Sequence, residues 1–555
     1  MNQLPQAIGF SVYVWNRSLT VAVAQELRRL NPEIILFCGG PEVTASPLTA
    51  VFDFIIVGEG EKPFLSFCER ISNGLDYTDI PGIIREGAPF VPPPPPLEDL
   101  DRIPSPYLTA VIDTRQTQGL LWQLSRGCSF TCDFCFDSRG IHGVRSFTLE
   151  RIKEELRHFA ETGVSQIFVL DSTFNRDQRR AKNILRMIGE YAPRIHFHFE
   201  VRSEFIDREM AELFAAITCS LQIGLQSADR SVLAHVGRTF TRTDFSARIG
   251  LLNESGATFG FDLIYGLPGD TLCGFTESLE YALSLYPNHL DIFPLAVLPG
   301  TKLAGRGEEL AMRWNPEPPY LLEATDCFSV ADMAEASQLA AATDIFYTRG
   351  RAVAWFNGVV SALGLKRSDV IRQFGDWLAE RRSGAFSESD MTDEEVENLQ
   401  LQFLGNLFNN SKKSRFLPLV RDLITYHHCY SSVLMAAEAA TLSSATINAK
   451  NRFRLSATAR VIHFSYDIDE LLECGEPRLS LLYKHLAPTG SQAVVYVTTA
   501  GSIHTESLAL PYATILEQLP DAFPLQMTTA TGLTVAEINE FLHFALSEGI
   551  IVSLM

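Results

Sequence analysis

The chain lacks long apolar runs, an excess of positive charge and paired cysteines. No window of about 18 uninterrupted apolar residues occurs, so we predict no membrane span. The start, Met-Asn-Gln-Leu-Pro-Gln, lacks the basic and apolar regions of a secretory signal, so we expect a cytoplasmic protein. With 46 Lys and Arg against 66 Asp and Glu, the net charge is −20. This charge argues against a protein that binds nucleic acid by neutralising phosphates.

The length and composition describe a globular chain of several domains. The 555 residues are 46% hydrophobic and 20% charged. Typical domain sizes then predict roughly three to four domains. Seven of the ten cysteines are isolated, and we expect them to be buried thiols rather than disulfides.

The other three cysteines, Cys128, Cys132 and Cys135, are clustered in the stretch Gln-Leu-Ser-Arg-Gly-Cys-Ser-Phe-Thr-Cys-Asp-Phe-Cys-Phe-Asp. Their spacing is Cys-x3-Cys-x2-Cys. Three thiolates on one short loop can bind three irons of a [4Fe-4S] cubane and leave the fourth iron open to another ligand. The sequence therefore predicts a cluster with a substrate or cofactor bound to its open iron.

A structural zinc site is the alternative for these cysteines. Zinc requires four closed ligands, commonly from paired cysteine elements. The nearest possible fourth ligand is His142, and more distant candidates are His427, His428 and Cys429. We expect the latter three to be ordinary core or surface residues, because adjacent side chains point in different directions.

Six strand-helix repeats contain the cysteine stretch. The predicted strands are Leu120–Leu124, Gln166–Leu170, His196–Val201, Ser220–Leu225, Thr258–Tyr265 and Leu290–Val297. Right-handed crossovers would wind them into a partial (β/α)6 barrel. The polar and Gly-rich clusters follow the strands, at the end of a barrel where enzymes place their chemistry.

The first 72 residues also alternate strand and helix. Three apolar strands, at 7–15, 33–38 and 52–57, predict a parallel sheet covered on both faces. Ligands of such sheets bind beyond the carboxyl ends of the strands. The residues predicted there are Ser11, Tyr13, Gly39, Gly40, Gly58 and Glu59. The alternative is that the glycines only form tight turns.

The predicted fold class is α/β: a partial (β/α)6 barrel, preceded by a shortened doubly wound parallel-sheet domain and followed by a mainly helical α+β region. The predicted domains are the sheet domain at 1–75, a Pro-rich linker at 76–118 with five consecutive prolines, the barrel at 119–305, a helical extension at 306–415 and an α+β region at 416–555. Thr534 and Glu537 form a predicted capping box. The helix and strand after it indicate a winged-helix-like module at 505–555.

The cysteine triplet resembles that of the radical S-adenosylmethionine (SAM) superfamily, over roughly residues 105–305. The strand tails Asp-Ser-Thr-Phe-Asn, His-Phe-Glu-Val-Arg, Gly-Leu-Gln-Ser and Tyr-Gly-Leu-Pro-Gly-Asp-Thr are similar to those of its cobalamin-type members. The segments Gly-Phe-Ser-Val-Tyr-Val-Trp-Asn, Gly-Gly-Pro-Glu-Val-Thr and Val-Gly-Glu-Gly-Glu resemble the cobalamin-binding domain of that class.

Two departures from the resemblance concern the first domain. The family domain usually has about five strands, against three predicted here, and its first strand and helix would precede Met1. The Asp-x-His-x-x-Gly pattern, which supplies a cobalt-binding histidine in mutase-type domains, is also absent from the sequence. If cobalamin binds, its ligand does not come from this motif.

The resemblance implies a radical SAM enzyme with a [4Fe-4S] cluster on the three cysteines, SAM on the open iron and cobalamin on the first domain. The residues it implies for SAM are Phe134, against the adenine, and Asp171, Ser172, Glu200, Arg202 and Gln226. Apart from Phe134, these side chains could instead form salt bridges and caps inside the barrel.

The implied reaction is reductive cleavage of SAM, with an electron from a ferredoxin or flavodoxin type of donor. Methyl transfer to a small molecule or natural-product precursor is the leading expectation, with no nucleic acid or membrane partner. Two alternatives are a cobalamin-independent radical SAM enzyme, acting by hydrogen abstraction or other alkyl transfer, and a non-catalytic scaffold that keeps the cluster.

Overall fold

The structure is a computed structural model that describes residues 5–45, 48, 50–86, 91–93, 95–138, 143–381, 391–436, 452–475, 478–499, 501–519 and 524–554. The chain divides into two compact units. The first comprises Met1–Leu285 and Asp291–Ser337, and the second comprises Tyr286–Leu290 and Gln338–Met555. The domain bounds predicted from the sequence stay predictions.

The first unit begins with a four-stranded sheet whose strands lie in chain order. Its elements are β1 (Ala7–Ser11), α1 (Arg17–Leu30), β2 (Ile35–Gly39), α2 (Pro41–Ala45), β3 (Phe54–Ile56), α3 (Glu61–Ser72) and β4 (Ile83–Ile84). Strands β1 to β3 are parallel, and β4 is antiparallel to β3. The sequence did not predict β4, which lies in the proposed linker.

Both faces of this sheet carry a core, as the continuous apolar strands predicted. Leu36 and Ile55 pack with Ala24 of α1 on one face. Phe54 and Ile83 pack with Phe67 of α3 on the other face. Side chains of successive strand residues point to opposite faces, so each apolar strand serves both cores.

A six-stranded sheet follows, in the order β5-β8-β9-β10-β11-β12. The elements of this region are β5 (Gly119–Trp122), β6 (Ser125–Arg126), β7 (Arg145–Ser146), α4 (Leu149–Thr162), β8 (Gln166–Val169), α5 (Gln178–Tyr191), β9 (His196–Val201), α6 (Arg208–Ala215), β10 (Cys219–Gln226), α7 (Arg230–His235), α8 (Arg242–Ser255), β11 (Phe259–Tyr265), α9 (Leu272–Ser284) and β12 (His289–Pro294). The pairs from β5 to β11 are parallel. All six predicted barrel strands are confirmed.

One face of the six-stranded sheet packs against helices. The ring of Trp122 lies 5.6 Å from that of Phe159 on α4, and the ring of Phe199 lies 5.8 Å from that of Phe214 on α6. The residues that alternate with these along each strand, such as His198 and Glu200, point to the other face, which we call the inner face. The carboxyl ends of the strands and the inner face together hold the candidate site.

The first unit ends with α10 (Lys302–Gly305), β13 (Arg313–Trp314) and β14 (Leu322–Ala324), and α11 (Val330–Thr343) leads into the second unit. The second unit is helical first and mixed later. Its elements are a π-helical turn (Asp344–Arg349), α12 (Phe356–Leu363), α13 (Arg367–Ala379), α14 (Asp393–Asn410), α15 (Leu417–Met435), β15 (Arg452–Leu455), β16 (Ala459–Phe464), α16 (Ile468–Glu473), α17 (Leu479–His485), β17 (Ser491–Val497), β18 (Ile503–Leu508), α18 (Leu510–Glu517), α19 (Pro524–Thr531), α20 (Val535–Ser547) and β19 (Ile551–Leu554).

The end of the second unit bears on the winged-helix prediction. Three helices, α18 to α20, precede β19, which pairs antiparallel with β15. The capping box of Thr534 and Glu537 is present at the start of α20. This order is compatible with a winged-helix-like module, which stays a prediction. Among the helices of the described ranges, none has both the length and the apolar character that a membrane crossing requires.

Candidate functional site

A short antiparallel ribbon holds the base of the cysteine loop, which we define as Cys128–Cys135. Ser125 and Arg126 of β6 pair with residues of β7. The next residue, Gly127, has φ +93°, and a Cβ atom there would lie 2.4 Å from the carbonyl oxygen of Gly143. Only glycine fits such a backbone crossing, so the ribbon fixes where the loop begins.

The middle of the loop is held from the other side by Asp133. Its backbone N–H donates to the carbonyl oxygen of Val236 (3.0 Å), and its carbonyl accepts from the N–H of Leu303 (2.9 Å). Its carboxylate accepts from Arg306 at 2.9 Å. The cysteine loop is therefore fixed at its base and at its centre before any cofactor binds.

The three cysteines fit a cubane cluster better than a single ion. Cys132 is buried, and Cys128 and Cys135 are half-buried. Burial, with Asp137 nearby, raises the pKa of the Cys135 thiol to about 11; binding to a metal ion would deprotonate it. No three His, Cys, Asp or Glu side chains of the described residues surround one common ion position. A cubane does not need such a position, because each thiolate binds a different iron.

The candidate zinc ligands do not change this assignment. His142 lies outside the described residues. His428 is buried in the second unit, where its Nε2 lies 2.7 Å from Oε1 of Gln400. Burial lowers the pKa of His427 and of His428 to about 4. His428 thus has a partner inside its own helical core, as expected for an ordinary core residue.

Asp171 holds the chain just before the cysteine loop. Its Oδ1 accepts from the backbone N–H groups of Leu124 (2.8 Å) and Ser125 (3.0 Å), and its Oδ2 accepts from the Ser125 hydroxyl. The neighbouring Ser172 donates to Oδ2 of Asp137 at 2.6 Å. These contacts favour a positioning role for Asp171, the alternative that the sequence left open; its predicted contact with SAM stays a prediction.

Glu200 and Arg202 lie at the carboxyl end of β9 in different settings. The guanidinium of Arg202 donates to Glu204 (2.9 Å) and lies 3.7 Å from the ring centre of Phe130 in the cysteine loop. Glu200 is exposed as a residue, but the protein around its carboxylate leaves that group only partly solvated. Enclosure by the surrounding protein, and then Asp262 and Asp137, raise the pKa of Glu200 to about 7.

Gln226 ends β10 in a strained backbone conformation, with φ +66° at a bulge in the strand. Its side chain is 8% exposed, and its Oε1 has no hydrogen-bond partner among the described residues. A Cβ on Gly224 would lie 2.7 Å from Nε2 of Gln226. An orphaned acceptor in a strained residue is typical of a binding site, and this supports the predicted role of Gln226.

Two sets of polar side chains near the carboxyl ends of the strands were not predicted from the sequence. Arg238 donates to the carbonyl oxygen of Gly224 at 2.7 Å, while its buried Nε has no partner among the described residues. Burial and the neighbouring Arg202 lower the pKa of Arg238, and Cys132 acts in the opposite direction. A cation beside the cluster loop suits the carboxylate of an amino-acid group. In the sequence, the only sign of this role is that Arg238 directly follows the turn at Gly237.

The second missed group is a pair of carboxylates bridged by an amide. Nε2 of Gln222 donates to Asp262 and, at 2.9 Å, to Asp291. Burial is the main cause that raises the pKa of Asp262 to about 6, and Asp291 adds to it. Polar residues at alternate positions of otherwise apolar strands were the available signal.

The strand ends of the N-terminal sheet enclose an open groove of about 1020 Å³. Its lining includes five of the six residues predicted for cobalamin: Ser11, Tyr13, Gly39, Gly40 and Gly58. Gly40 has φ +118°, and a Cβ there would lie 2.6 Å from the carbonyl oxygen of Val12. The glycines therefore serve tight packing, and they also leave space for a ligand close to the backbone.

Glu59, the sixth predicted residue, connects this sheet to the cysteine ribbon. It pairs with Arg145 of β7 and lies 3.6 Å from Arg126 of β6, while Glu61 pairs with Arg126 at 2.6 Å. Burial acts to raise the pKa of Glu59, but Arg145 and Arg126 hold it below its usual value. This charged contact, which we call the Glu59 clamp, is a structural role that the sequence did not reveal.

A second cavity, of about 520 Å³, lies between the two sheets of the first unit. Its lining residues are Gly40, Pro41, Gly58 and Glu59 from the N-terminal sheet, and Gln123, Ser125, Arg126, Gly127, Phe136, Asp137, Arg145, Leu170 and Ser172 from the barrel region. Phe136 lines it, whereas the half-buried Phe134 is not in that lining. One cavity thus contacts the residues that flank the cysteine loop, Gly127 and Phe136, and the strand ends predicted for cobalamin.

Comparisons with known proteins match these two regions separately. A Radical SAM superfamily model matches residues 122–282, and a B12 binding domain model matches residues 2–67. The first covers the six-stranded sheet as far as α9, with the cysteine loop. The second covers β1 to β3, α1, α2 and the first part of α3. These are domains that use a [4Fe-4S] cluster with SAM, and cobalamin, respectively.

Two similar curated proteins are methyltransferases by name. The cobalamin-dependent radical SAM methyltransferase TokK of Streptomyces tokunonensis is 30% identical over 353 residues, covering 57% of this chain and 51% of that protein. The 2-(S-pantetheinyl)-carbapenam-3-carboxylate methyltransferase of Streptantibioticus cattleyicolor is 30% identical over 362 residues, covering 58% and 51%. The chain therefore spans about half the length of these relatives.

A solved structure is similar over more of the chain. The cobalamin-dependent S-adenosylmethionine radical enzyme OxsB, with aqua-cobalamin bound, superposes with a TM-score of 0.52 at 15% identity, covering 76% of this chain and 74% of that one. At this identity the likeness shows the fold alone. The chain thus contains one region that matches the Radical SAM superfamily model and one that matches the B12 binding domain model, the two domains that the sequence resemblance predicted.

Proposed function

We propose that this protein is a cobalamin-dependent radical SAM methyltransferase that acts on a small molecule. One observation carries the proposal: the cavity of about 520 Å³ is lined on one side by Gly127 and Phe136, which flank the cysteine loop, and on the other by Gly40 and Gly58 of the N-terminal sheet. A methyl group can pass between two cofactors only if both reach one space, and this cavity supplies that space.

When bound, the cluster would supply the electron that cleaves SAM, and cobalamin would supply a carrier for the methyl group. The chain's own residues bind and orient these groups. Cys128, Cys132 and Cys135 bind three irons, while Arg238 and the Gln226 amide hold the amino-acid part of SAM. Glu200, with a pKa raised to about 7, can hold or release a proton near neutral pH at the mouth of the site.

Three observations support a small-molecule methyl acceptor. Two similar proteins are named as methyltransferases, one of them for a carbapenam carboxylate. The net charge of −20 disfavours a nucleic acid partner. The inner face offers polar groups at Gln222, Asp262 and Asp291 that can bind one compact substrate. We also propose a cytoplasmic enzyme, not membrane-bound, with a low-potential donor of the ferredoxin or flavodoxin type.

The test is anaerobic reconstitution with iron, sulfide and hydroxocobalamin, followed by addition of dithionite and SAM. We expect both S-adenosylhomocysteine and 5′-deoxyadenosine. Replacing Cys128, Cys132 and Cys135 together with Ala should abolish the cluster absorbance and reduce 5′-deoxyadenosine at least about 100-fold, because no thiolate is left for iron. The matched control is Cys273→Ser, an exposed cysteine of α9, which should keep the cluster and both products.

The products also separate the alternatives. Formation of 5′-deoxyadenosine without cobalamin uptake or S-adenosylhomocysteine would replace the proposal with a cobalamin-independent radical SAM enzyme. A cluster that forms while neither product appears under reducing conditions would contradict both enzyme functions and favour the scaffold.

A further inference from the structure

A buried carboxylate connects the N-terminal sheet domain to the barrel region at a point away from the Glu59 clamp. Glu42 of α2 is only 3% exposed. It accepts a hydrogen bond from the hydroxyl of Tyr320 and, at 3.0 Å, from the guanidinium of Arg17 at the start of α1. Burying a carboxylate costs free energy unless donors replace its water. Glu42 accepts from donors on two separate elements, and these donors replace the water that the carboxylate loses when it is buried.

Tyr320 belongs to the barrel side of this contact. Its carbonyl accepts from the N–H of Val297 at 2.9 Å, and the N–H of Leu322 donates to the carbonyl of Leu295 at 2.9 Å. The segment from Tyr320 therefore pairs with the residues that directly follow β12. Tyr320 itself is 4% exposed and has φ +60°. Its hydroxyl is thus held at a fixed place relative to the six-stranded sheet.

Glu42 directly follows one wall of the cavity in the chain. Gly40 and Pro41, which line the cavity of about 520 Å³, immediately precede it in the chain. The N–H of Glu42 donates to the carbonyl of Val12 at 3.4 Å, a long bond that leaves the side chain as the stronger tie. Because Glu42 directly follows Pro41, a backbone shift that accompanies the loss of the Glu42 side-chain contact would also move the Gly40–Pro41 wall.

We propose that Tyr320 is a positioning residue: through Glu42 it fixes the Gly40–Pro41 wall of the cavity relative to Gly127 and Phe136, which flank the cysteine loop. The importance of this position for catalysis rests on the proposed function, since it sets the separation of the two cofactors across the cavity. Tyr320 does not line the cavity, so it acts through Glu42.

The first test uses hydrogen–deuterium exchange on the full chain without cofactors. Tyr320→Phe removes the hydroxyl and keeps the ring. Amides of the peptide that contains Gly40 to Val43 should exchange about tenfold faster, the ratio that corresponds to the loss of one hydrogen bond to a charged group. The control is Tyr347→Phe, a fully buried tyrosine of the second unit whose hydroxyl donates to the Pro287 carbonyl at 2.7 Å; it should leave this peptide unchanged.

Glu42→Gln provides a second variant if Tyr320→Phe folds poorly. It keeps the shape of the side chain but weakens both bonds. The double variant should exchange no more than about twice as fast as the faster single variant, because both substitutions break the same contact. Additive effects, or an unchanged exchange rate in Tyr320→Phe, would overturn the proposal.

The second test measures catalysis in the reconstituted enzyme. Cluster and cobalamin contents of Tyr320→Phe should match the wild type, and 5′-deoxyadenosine should form at the same rate. S-adenosylhomocysteine should fall about tenfold, because only this product needs the two cofactors at the right separation. Normal S-adenosylhomocysteine formation despite faster exchange would overturn the positioning role. If the wild type itself binds no cobalamin, the proposed function fails, while the exchange experiment still decides whether Tyr320 fixes the wall.

Discussion

At the scale of single residues, the site is marked by polar atoms that lack protein partners. Oε1 of Gln226 and Nε of Arg238 are both buried and unpaired among the described residues, as are a few atoms elsewhere, such as Nε1 of Trp355 and of Trp377 in the second unit. Such groups cost free energy in the ligand-free protein, because nothing replaces the water that they lose. A ligand that pairs with them recovers this cost on binding, which makes these two residues the best candidates for SAM contacts.

Gln226 offers a test that separates backbone strain from ligand contact. We expect Gln226→Gly to be more stable to unfolding than Gln226→Ala by about 1 kcal/mol, because φ +66° is strained for any residue with a Cβ. Both variants should bind SAM at least about tenfold more weakly than the wild type, since both lack the amide. Urea unfolding and calorimetric titration check the two expectations. Wild-type SAM affinity in either variant would exclude a contact with the amide.

Glu200 predicts a pH dependence of stability. Its folded-state pKa is raised to about 7 by enclosure, Asp262 and Asp137, above an unfolded value of about 4.3. The ionised carboxylate therefore destabilises the fold, and this effect appears as the pH rises from the unfolded to the folded pKa. The gain in melting temperature of Glu200→Gln over the wild type should be largest at pH 8 and much smaller at pH 5.

The comparison variant for Glu200 is Glu190→Gln, an exposed carboxylate at the end of α5. It should show no difference between the two pH values. An equal rise in melting temperature at pH 5 and pH 8 for Glu200→Gln would mean that packing, and not the charge of Glu200, explains the effect.

Sequence reasoning found the cysteines but misjudged the setting of other residues. The triplet was identifiable because its three members are neighbours in the chain. The contacts of Asp171 with Leu124 and Ser125 depend on which strand lies beside β8, and the burial of Arg238 near Cys132 depends on the turn after α7. Such tertiary contacts leave no local pattern in the chain.

At the scale of elements, the ribbon β6–β7 decides where the cysteine loop begins. Gly127→Ala would place a methyl group 2.4 Å from the Gly143 carbonyl oxygen, in a backbone conformation that already disfavours Ala. We expect a loss of about 3 kcal/mol in local stability and at least a tenfold loss of bound iron. Iron analysis after reconstitution measures this loss.

Gly163→Ala is the matched control for this change. Gly163 ends α4 with φ +77°, and a Cβ there would meet no atom within 4 Å. It should cost about 1 kcal/mol from backbone strain alone and keep the iron. Equal iron loss in both variants would show that strain in the fold, and not the ribbon crossing, controls cluster binding.

The sequence predicted long elements well and two-residue strands poorly. All six barrel strands were found, because each is an apolar run between helical segments. Strand β4 is only Ile83–Ile84, and β6 and β7 are also two residues long. Their pairing comes from neighbours brought together by the fold, so periodicity carries no signal for them.

At the scale of the whole molecule, charged contacts fix the N-terminal sheet domain to the barrel region. In the Glu59 clamp, the side chain of Glu59 is 22% exposed and that of Arg145 is 15% exposed. Removing one charge from such a partly buried pair leaves the other without its counter-ion. We expect Glu59→Gln to lower the free energy of unfolding by about 2 kcal/mol at pH 7, measured by urea unfolding.

The pH and a second ion pair provide the controls for the clamp. Because the pKa of Glu59 is lowered in the folded state, the stabilisation is present above the unfolded pKa and is lost as the pH falls through the folded one. The difference between wild type and Glu59→Gln should therefore shrink in acid. Glu26→Gln breaks the exposed pair with Arg29 and should have no measurable effect. A similar loss in both variants would mean that the clamp is no stronger than a surface pair.

The order of strands in the two sheets also bears on how the chain folds. Every strand of the N-terminal sheet, and every strand of the six-stranded sheet, lies beside the strand that precedes it in that sheet. Each sheet can therefore grow by adding the next strand to its edge as the ribosome releases the chain, with short loop closures at each step. Because β6 pairs with β7 and β5 pairs with β8 first, we expect the base of the cysteine loop to be framed before the rest of the barrel has been synthesised. The contacts of Asp133 with Val236 and Leu303 then fix the centre of the loop later.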